Sequence, residues 1–100
     1  MENLDSKNPS RAGGQTLLHY AAKNGHLEVC EVIMQHLVNK NPACVNGCTP
    51  LHLAAKNGHL EICLALMRML VEKNPKDNYG LTPLHAAASE GQFEICKVLM

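Results

Sequence analysis

The sequence has very few aromatic residues, no tryptophan and no excess of charge of either sign. Its only aromatic residues are Tyr20, Tyr79 and Phe93. Lys plus Arg balance Asp plus Glu at nine each, so no global field would attract nucleic acid or an acidic membrane. The apolar residues are mostly small or aliphatic, which favours closely packed helices over a β-sandwich.

Targeting and membrane-spanning features are also missing. The N-terminal segment has no apolar signal core, and no apolar run approaches the roughly 20 residues that span a bilayer. The chain has five cysteines, an odd number that does not suit a fully paired secreted scaffold: Cys30, Cys44, Cys48, Cys63 and Cys96. We therefore expect a soluble, intracellular protein, cytoplasmic or nuclear, with reduced thiols.

What the sequence does contain is an internal repeat, marked by Gly14, Gly47 and Gly80 at a constant spacing of 33. Segment 14–46 matches segment 47–79 at 19 of 33 positions, and segment 47–67 matches segment 80–100 at 13 of 21 positions. The repeat divides the chain into a tail and three units, the third incomplete: 1–13, 14–46, 47–79 and 80–100.

Each unit is predicted to form two helices. In the middle unit, Thr49 can cap the first helix and Pro50 suits its first position, whereas Gly58 can close it in the left-handed conformation. Apolar side chains at steps of three and four then predict a second helix from His59 or Leu60. Such a unit buries its apolar face only by stacking on a neighbour.

The segments GCTPLHLAAKNGHLEI (47–62) and GLTPLHAAA (80–88) closely resemble the ankyrin repeat, and the resemblance extends over residues 14–100. It implies an all-α fold, an α-solenoid of stacked antiparallel helix pairs joined by hairpin-like turns. It also implies a protein-binding module that is not an enzyme and needs no cofactor or metal. The fold is specified closely and the function only broadly, because one fold serves many partners.

The resemblance implies that a protein partner binds the turn tips and the exposed side of the first helices. Carried over by position, this surface comprises Ala12, Gly13, Gln15, Lys23, Asn24, Val45, Asn46, Cys48, Lys56, Asn57, Asn78, Tyr79, Leu81, Ser89 and Glu90. Structural roles are implied for residues that cap helices, join adjacent turns or close helices: Thr16, Thr49, Thr82, His19, His52, His85, Gly25, Gly58 and Gly91.

The sequence departs from the family pattern in three places. The first unit has Leu17 where the others have proline, so its helix start is less firmly fixed. No glycine stops the second helices, so we predict that they extend to roughly Asn39 and Glu72 and close at Asn-Pro, with altered turns over 40–44 and 73–77. The third unit stops inside its second helix. We expect a fragment of a longer array; alternatively, this end packs on something else.

Six histidines and five cysteines raise metal binding and catalysis as alternatives. Zinc needs three or four converging ligands, and the sequence has no C-x-x-C pair or phosphate-binding loop. The repeat explains the His and Cys spacing, so we expect neither a metal site nor a catalytic Cys–His pair. Cys30, Cys63 and Cys96 are predicted core residues. For Cys44 and Cys48 a local disulfide is conceivable, but a reducing compartment favours free thiols.

The three aromatic residues have separate predicted roles. Tyr79 lies at a predicted turn tip, where it either contacts a partner or packs on the neighbouring turn; Tyr20 and Phe93 are predicted core residues.

Asn41 and Asn74 align with the asparagine that hydroxylases modify in many ankyrin repeats, although Lys40 and Lys73 replace its usual apolar neighbour.

The leading hypothesis is a scaffold or adaptor segment that binds another protein, and neither nucleic acid nor membrane. Lys23 and Lys56 share a repeat position, but two lysines are more typical of a solubilising surface than of a nucleic-acid site. The alternative is a structural spacer of a longer ankyrin-repeat protein, or a segment that self-associates through its exposed C-terminal repeat face.

Overall fold

A computed structural model describes residues 15–36, 43–70 and 74–100 of the chain. Within these ranges the regular elements are six α-helices, without a strand. They are α1 (Leu17–Asn24), α2 (Leu27–Gln35), α3 (Pro50–Lys56), α4 (Leu60–Met69), α5 (Pro83–Ser89) and α6 (Phe93–Leu99). The predicted all-α architecture is confirmed.

Each first helix begins at a capping box built from threonine and histidine. The hydroxyl oxygen of Thr49 accepts a hydrogen bond from the His52 backbone N–H, and the His52 ring nitrogen Nδ1 accepts one from the Thr49 backbone N–H. The same pair of bonds starts α1 at Thr16 and α5 at Thr82. Leu17 in place of proline therefore leaves the α1 cap intact.

The glycine that follows α1 allows the next unit to approach closely. Gly25 has φ +81°, and a Cβ atom there would lie 2.7 Å from the His59 ring. With no side chain in the way, His59 Nε2 donates a hydrogen bond to the Lys23 carbonyl oxygen over 2.9 Å. Glycine thus satisfies both the left-handed backbone and the contact between units.

The helices pack as two rows. The first helices contact one another in the order α1, α3, α5, and the second helices in the order α2, α4, α6. Between the rows lies one core of buried aliphatic, small and sulfur-containing side chains: Leu18, Ala21, Ala22, Cys30, Met34, Leu51, Ala54, Ala55, Ile62, Cys63, Ala65, Leu66, Leu70, Ala87 and Ile95. Leu51 and Leu66 have no exposed surface, so stacking of the units supplies the apolar burial that stabilises each helix pair.

The second helices end earlier than predicted. α2 ends at Gln35 and α4 at Met69, not near Asn39 and Glu72, and Leu70 is extended with φ −100° and ψ 141°. Leu70 is only 9% exposed and belongs to the core, although its backbone has left the helix. Residues 37–42 and 71–73 lie outside the described ranges, so the altered turns predicted at 40–44 and 73–77 are tested only in part.

Phe93 is not a core residue, contrary to prediction. It is the first residue of α6, and 67% of its surface is exposed. Its ring lies along the helix surface, with the Lys97 ammonium nitrogen 5.0 Å from the ring centroid. The position carries Leu27 and Leu60 in the other units, where the leucine side chains are only partly buried. Tyr20 is partly buried.

None of the helices in the described residues combines the length and the apolar character that crossing a membrane requires.

Candidate functional site

Two hairpin-like turns project from the first-helix side, and we call them the first finger (residues 44–48) and the second finger (residues 77–81). In the first, Cys44 N–H donates to the Cys48 carbonyl oxygen over 2.9 Å. In the second, Asp77 N–H donates to the Leu81 carbonyl oxygen over 2.8 Å. The two fingers therefore share one backbone framework, one repeat apart.

Asn78 joins the fingers to each other. Its backbone N–H donates to the Asn46 carbonyl oxygen over 2.8 Å, and its side-chain Nδ2 donates to the Val45 carbonyl oxygen over 2.9 Å. A Cβ atom on Gly47 would lie 2.7 Å from the Asn78 backbone nitrogen. The fingers are thus close-packed and held in a fixed relative position.

Asp77 holds the second finger closed from within. Its Oδ1 atom accepts hydrogen bonds from the backbone N–H groups of Leu81, over 2.9 Å, and Tyr79, over 2.8 Å. These bonds, first that of Leu81, lower the pKa of the Asp77 carboxyl because they stabilise its charged form. At neutral pH the finger therefore contains a carboxylate with one oxygen, Oδ1, already accepting two backbone hydrogen bonds.

Histidines fix the base of each finger to the preceding first helix. The His19 ring nitrogen Nε2 donates to the Cys48 carbonyl oxygen over 2.9 Å, and that of His52 donates to the Leu81 carbonyl oxygen over 2.8 Å. Since a carbonyl can only accept, Nε2 carries the proton and Nδ1 is free to accept from the capping threonine. The third histidine of the series, His85, is exposed.

Burial lowers the pKa of His19 below its usual value of 6.5. The hydrogen bond to the Cys48 carbonyl opposes this effect, and the nearby His52 adds to it. Protonation would also place a second N–H on Nδ1, facing the Thr16 backbone N–H, whose nitrogen lies 3.1 Å away. Both the burial and the hydrogen-bond geometry therefore favour the neutral form of His19 in the folded protein.

We expect acidification through the range just below pH 6.5 to lower the free energy of unfolding. In that window the unfolded chain binds more protons at His19 than the folded chain does, so stability rises with pH and is lost as pH falls. Urea titrations of the wild type and of His19→Asn at pH 7.5, 6.5 and 5.5 check this. Equal pH dependence in the two proteins would contradict it.

A groove of about 550 Å³ runs between the fingers and the first helices α3 and α5. Leu53, Leu81 and Ala86 give it apolar walls, and Lys56 places a cation on its lining. Its lining comprises Asn46, Cys48, His52, Leu53, Lys56, Asp77, Tyr79, Leu81, His85, Ala86 and Ser89. Such a concave surface, apolar with a few polar groups, has the character of a binding site.

The groove brings together only part of the surface expected from the sequence. Six of the expected binding residues line it: Asn46, Cys48, Lys56, Tyr79, Leu81 and Ser89. Outside its lining lie Gln15, Lys23, Asn24, Val45, Asn57, Asn78 and Glu90. Ala12 and Gly13 fall outside the described residues.

Sequence reasoning missed three residues of the groove and gave two others a purely structural role. Leu53, Asp77 and Ala86 were not expected there, and His52 and His85 were assigned to structure alone. For two of these residues, the repeat pattern of the sequence could have indicated a place on the groove. Leu53 and Ala86 each follow the histidine of the repeated Thr-Pro-Leu-His string, so they occupy one repeat position on the first-helix face.

Several expected binding side chains are engaged within the chain. Asn24 Nδ2 donates to the Tyr20 carbonyl oxygen over 2.9 Å, and Asn57 Nδ2 donates to the Leu53 carbonyl oxygen over 2.8 Å. Tyr79, in contrast, is 73% exposed, so most of its ring is open to solvent at the tip of the second finger. Its contact with a partner stays a prediction.

The structure pairs Cys44 and Cys48 as a disulfide, the alternative to the free thiols that the sequence favoured. The physical reason is the tight turn of the first finger, which brings their Cα atoms to 5.4 Å, within the range that a disulfide spans. Cys30 and Cys63 are free and fully buried. Burial raises the pKa of Cys30 to about 11 and that of Cys63 to about 12.

No group of three or more His, Cys, Asp or Glu side chains in the described part of the chain is placed to hold a metal ion.

Asn74 is exposed, whereas Asn41 lies outside the described residues. Hydroxylation of either asparagine stays a prediction.

Comparison with known families agrees with the stacked helix pairs and their fingers. Residues 2–69 match the family described as ankyrin repeats (3 copies), and residues 63–100 match the family described as ankyrin repeats (many copies). No curated protein shows a significant match to the chain. Ankyrin repeats are generally protein–protein interaction modules and are typically not enzymes. With the first match covering well over half of its residues, the chain belongs to the ankyrin-repeat family.

Proposed function

We propose that this protein is a non-enzymatic scaffold or adaptor module that binds a protein segment in the groove between its fingers and first helices. The observation that carries the proposal is the exposed apolar rim of the groove. Tyr79 is 73% exposed and Leu81 is 44% exposed, and both lie beside the partly buried Leu53. Burial of such side chains by a partner is favourable, at about 25 cal/mol per Å² of apolar surface.

The shape of the groove is set before a partner arrives. Hydrogen bonds of Asn78 join the two fingers, and those of His19 and His52 fix the finger bases to α1 and α3. A preformed surface loses little conformational entropy on binding. We therefore expect binding by shape, with backbone movement on the order of 1 Å or less.

The charge of the groove limits the chemistry of its partner. The Asp77 carboxylate is engaged by two backbone N–H groups, whereas Lys56 is exposed and joins no ion pair within the described ranges. A partner segment with an apolar side chain for the Leu53–Leu81 wall and a carboxylate near Lys56 would satisfy both features.

We expect the double variant Tyr79→Ala with Lys56→Ala to lose at least roughly tenfold in affinity, since buried aromatic anchors are the usual hot spots of interfaces. The probe is a peptide selected from a displayed random library for binding to the wild-type protein. Titration calorimetry measures its affinity for the wild type and for the variant. Because both side chains are exposed, the melting temperature should change little.

The matched control is Phe93→Ala with Lys97→Ala, which removes another exposed aromatic–lysine pair on α6, away from the groove. Affinity should be unchanged in this variant. Equal losses in the two double variants, or unchanged affinity in the groove variant, would contradict the placement of the site.

Self-association is a second candidate function, favoured by one observation on the third unit. His85 and Ala88 are exposed, whereas His52 and Ala55, one repeat earlier, are buried against the following unit. Sedimentation velocity separates the two candidates. A concentration-dependent dimer that disappears on Ala88→Glu would favour self-association. A monomer at all concentrations would contradict self-association and favour binding of a partner in the groove.

A further inference from the structure

The two fingers use different chemistry to tie the same two positions together. Cys44 and Cys48 occupy the positions of Asp77 and Leu81, one repeat earlier. In the second finger the Asp77 carboxylate accepts from the Leu81 N–H. In the first finger no carboxylate is present, and the side chains of Cys44 and Cys48 are paired instead.

The backbone of the first finger is closed independently of the sulfur atoms. Cys44 N–H donates to the Cys48 carbonyl oxygen over 2.9 Å, and Gly47 N–H donates to the Cys44 carbonyl oxygen over 2.8 Å. The second finger keeps the equivalent bonds, from Asp77 and Gly80, without any sulfur link. Two reduced thiols would therefore stay close enough to pair again.

The two sulfur atoms differ in access. Cys44 is 8% exposed and Cys48 is partly exposed on the lining of the groove. Competing cysteines are poorly placed, because Cys30 and Cys63 have no exposed surface and Cys96 is a single, partly buried thiol. An external thiol or disulfide would thus meet Cys48 first.

We propose that Cys44 and Cys48 form a reversible thiol–disulfide site, whose co-reactant is a small-molecule disulfide of the glutathione class. The inference stands independently of the proposed binding function. Oxidation locks the first finger with a covalent bond in place of the carboxylate link of the second finger. Because the Cys48 carbonyl also accepts from His19, the lock lies at the contact between the first and second units.

The exchange balances in two steps. The Cys48 thiolate attacks one sulfur of the small disulfide, which forms a mixed disulfide on Cys48 and releases one small thiolate. The Cys44 thiolate then attacks the Cys48 sulfur, which forms the internal disulfide and releases the second small thiolate. The two protons lost by the cysteines are taken up by the two released thiolates, and the two electrons reduce the small disulfide. Excess small thiol runs the sequence backwards.

The first test is a redox titration of the full chain carrying Cys96→Ser. The protein is equilibrated with mixtures of reduced and oxidised glutathione, the free thiols are alkylated, and the products are mapped by mass spectrometry. We expect Cys44 and Cys48 to lose their labels together within the monomer, with any trapped glutathione on Cys48. Independent loss of the two labels, cross-linked dimers, or glutathione mainly on Cys44 would overturn the proposal.

The second test compares the two fingers within the same wild-type molecule, so it does not depend on the folding of any variant. Hydrogen exchange at the Gly47 amide should slow on the order of tenfold on oxidation, because the cross-link suppresses opening of the first finger. The Gly80 amide should not change. Equal changes at the two amides, or none at Gly47, would count against the proposal.

Cys44→Asp supplies the matched variant, because it installs the residue that the second finger uses at the same position. Its Gly47 exchange rate should be the same in oxidising and reducing buffer. A Gly47 rate in Cys44→Asp that still follows the buffer would show that another group, not the Cys44–Cys48 pair, senses the redox state.

Discussion

Replacement of His52 by alanine should lower the free energy of unfolding by about 3 kcal/mol. Three losses add to this figure: the acceptor of the Thr49 N–H, worth about 1 kcal/mol as a helix cap, the hydrogen bond to the Leu81 carbonyl, and the packing of a ring that is 5% exposed. The Leu81 carbonyl keeps its hydrogen bond from the Asp77 N–H, so the lost His52 bond counts only at the net value of one hydrogen bond, about 1 kcal/mol. Urea unfolding followed by far-UV circular dichroism measures the change.

His85→Ala is the matched control for this prediction. His85 makes the same local bond, accepting from the Thr82 N–H at Nδ1 over 3.0 Å. It is exposed, and among the described residues no carbonyl lies within hydrogen-bonding distance of its Nε2. We expect a loss of about 1 kcal/mol, the cap alone. If the two variants lose equal stability, the bond from His52 to the second finger contributes nothing.

The contrast between these histidines explains why one repeated residue has two physical roles. A capping histidine is a local feature, set by its spacing of three from threonine, so sequence alone identifies it. The bond from Nε2 to the next finger depends on whether a further unit is stacked on that face. His19 and His52 have such a neighbour in the structure and His85 does not.

Much of the fold could be predicted because its determinants are local and repeated. Threonine caps and the glycines Gly25, Gly58 and Gly91 mark the helix limits, and the structure places helices α1, α3 and α5 within these limits. The ends of the second helices could not be predicted this way. Leu70 continues the helical apolar pattern, yet its backbone is extended while its side chain is buried, so the apolar pattern alone does not mark where the helix ends.

The lining of the groove was predictable in part: the surface expected from the repeats includes six of its residues, and whether a partner binds there stays a prediction. Alignment of the 33-residue repeats placed Tyr79 and Leu81 on a finger, and the structure shows both side chains exposed there. Register could not show that Asn78 holds the two fingers together through Val45 and Asn46, because that contact joins residues about a full repeat apart.

The pairing of Cys44 with Cys48 shows a different limit of prediction from sequence. The expected reducing compartment argued for free thiols, which is an argument about surroundings and not about geometry. The turn geometry brings the two Cα atoms to 5.4 Å; their separation of four residues in the sequence allows this proximity but does not establish it. Alignment of the repeats adds only that Asp77 occupies the position of Cys44 in the second finger.

The second large effect is expected at the core. Leu51→Ala should lower the free energy of unfolding by about 3–4 kcal/mol, since Leu51 lies in the middle first helix with no exposed surface and truncation of buried leucine costs about 2–5 kcal/mol. Such a loss is a large part of the roughly 5–15 kcal/mol that stabilises a typical domain. We expect a sharply lower urea midpoint and partial unfolding at physiological temperature.

Leu84→Ala tests whether this cost comes from stacking between units or from the helix pair itself. Leu84 occupies the same repeat position in α5, but it is partly exposed. Partial burial implies a smaller loss, about 1–2 kcal/mol. A loss for Leu84→Ala as large as that for Leu51→Ala would mean that each helix pair is stabilised by contacts within the pair.

The expected difference instead assigns the larger contribution of Leu51 to its two neighbouring first helices, α1 and α5, which both contact α3. The middle unit should then be the most stable part of the array, with hydrogen exchange slowest in α3 and faster in α5.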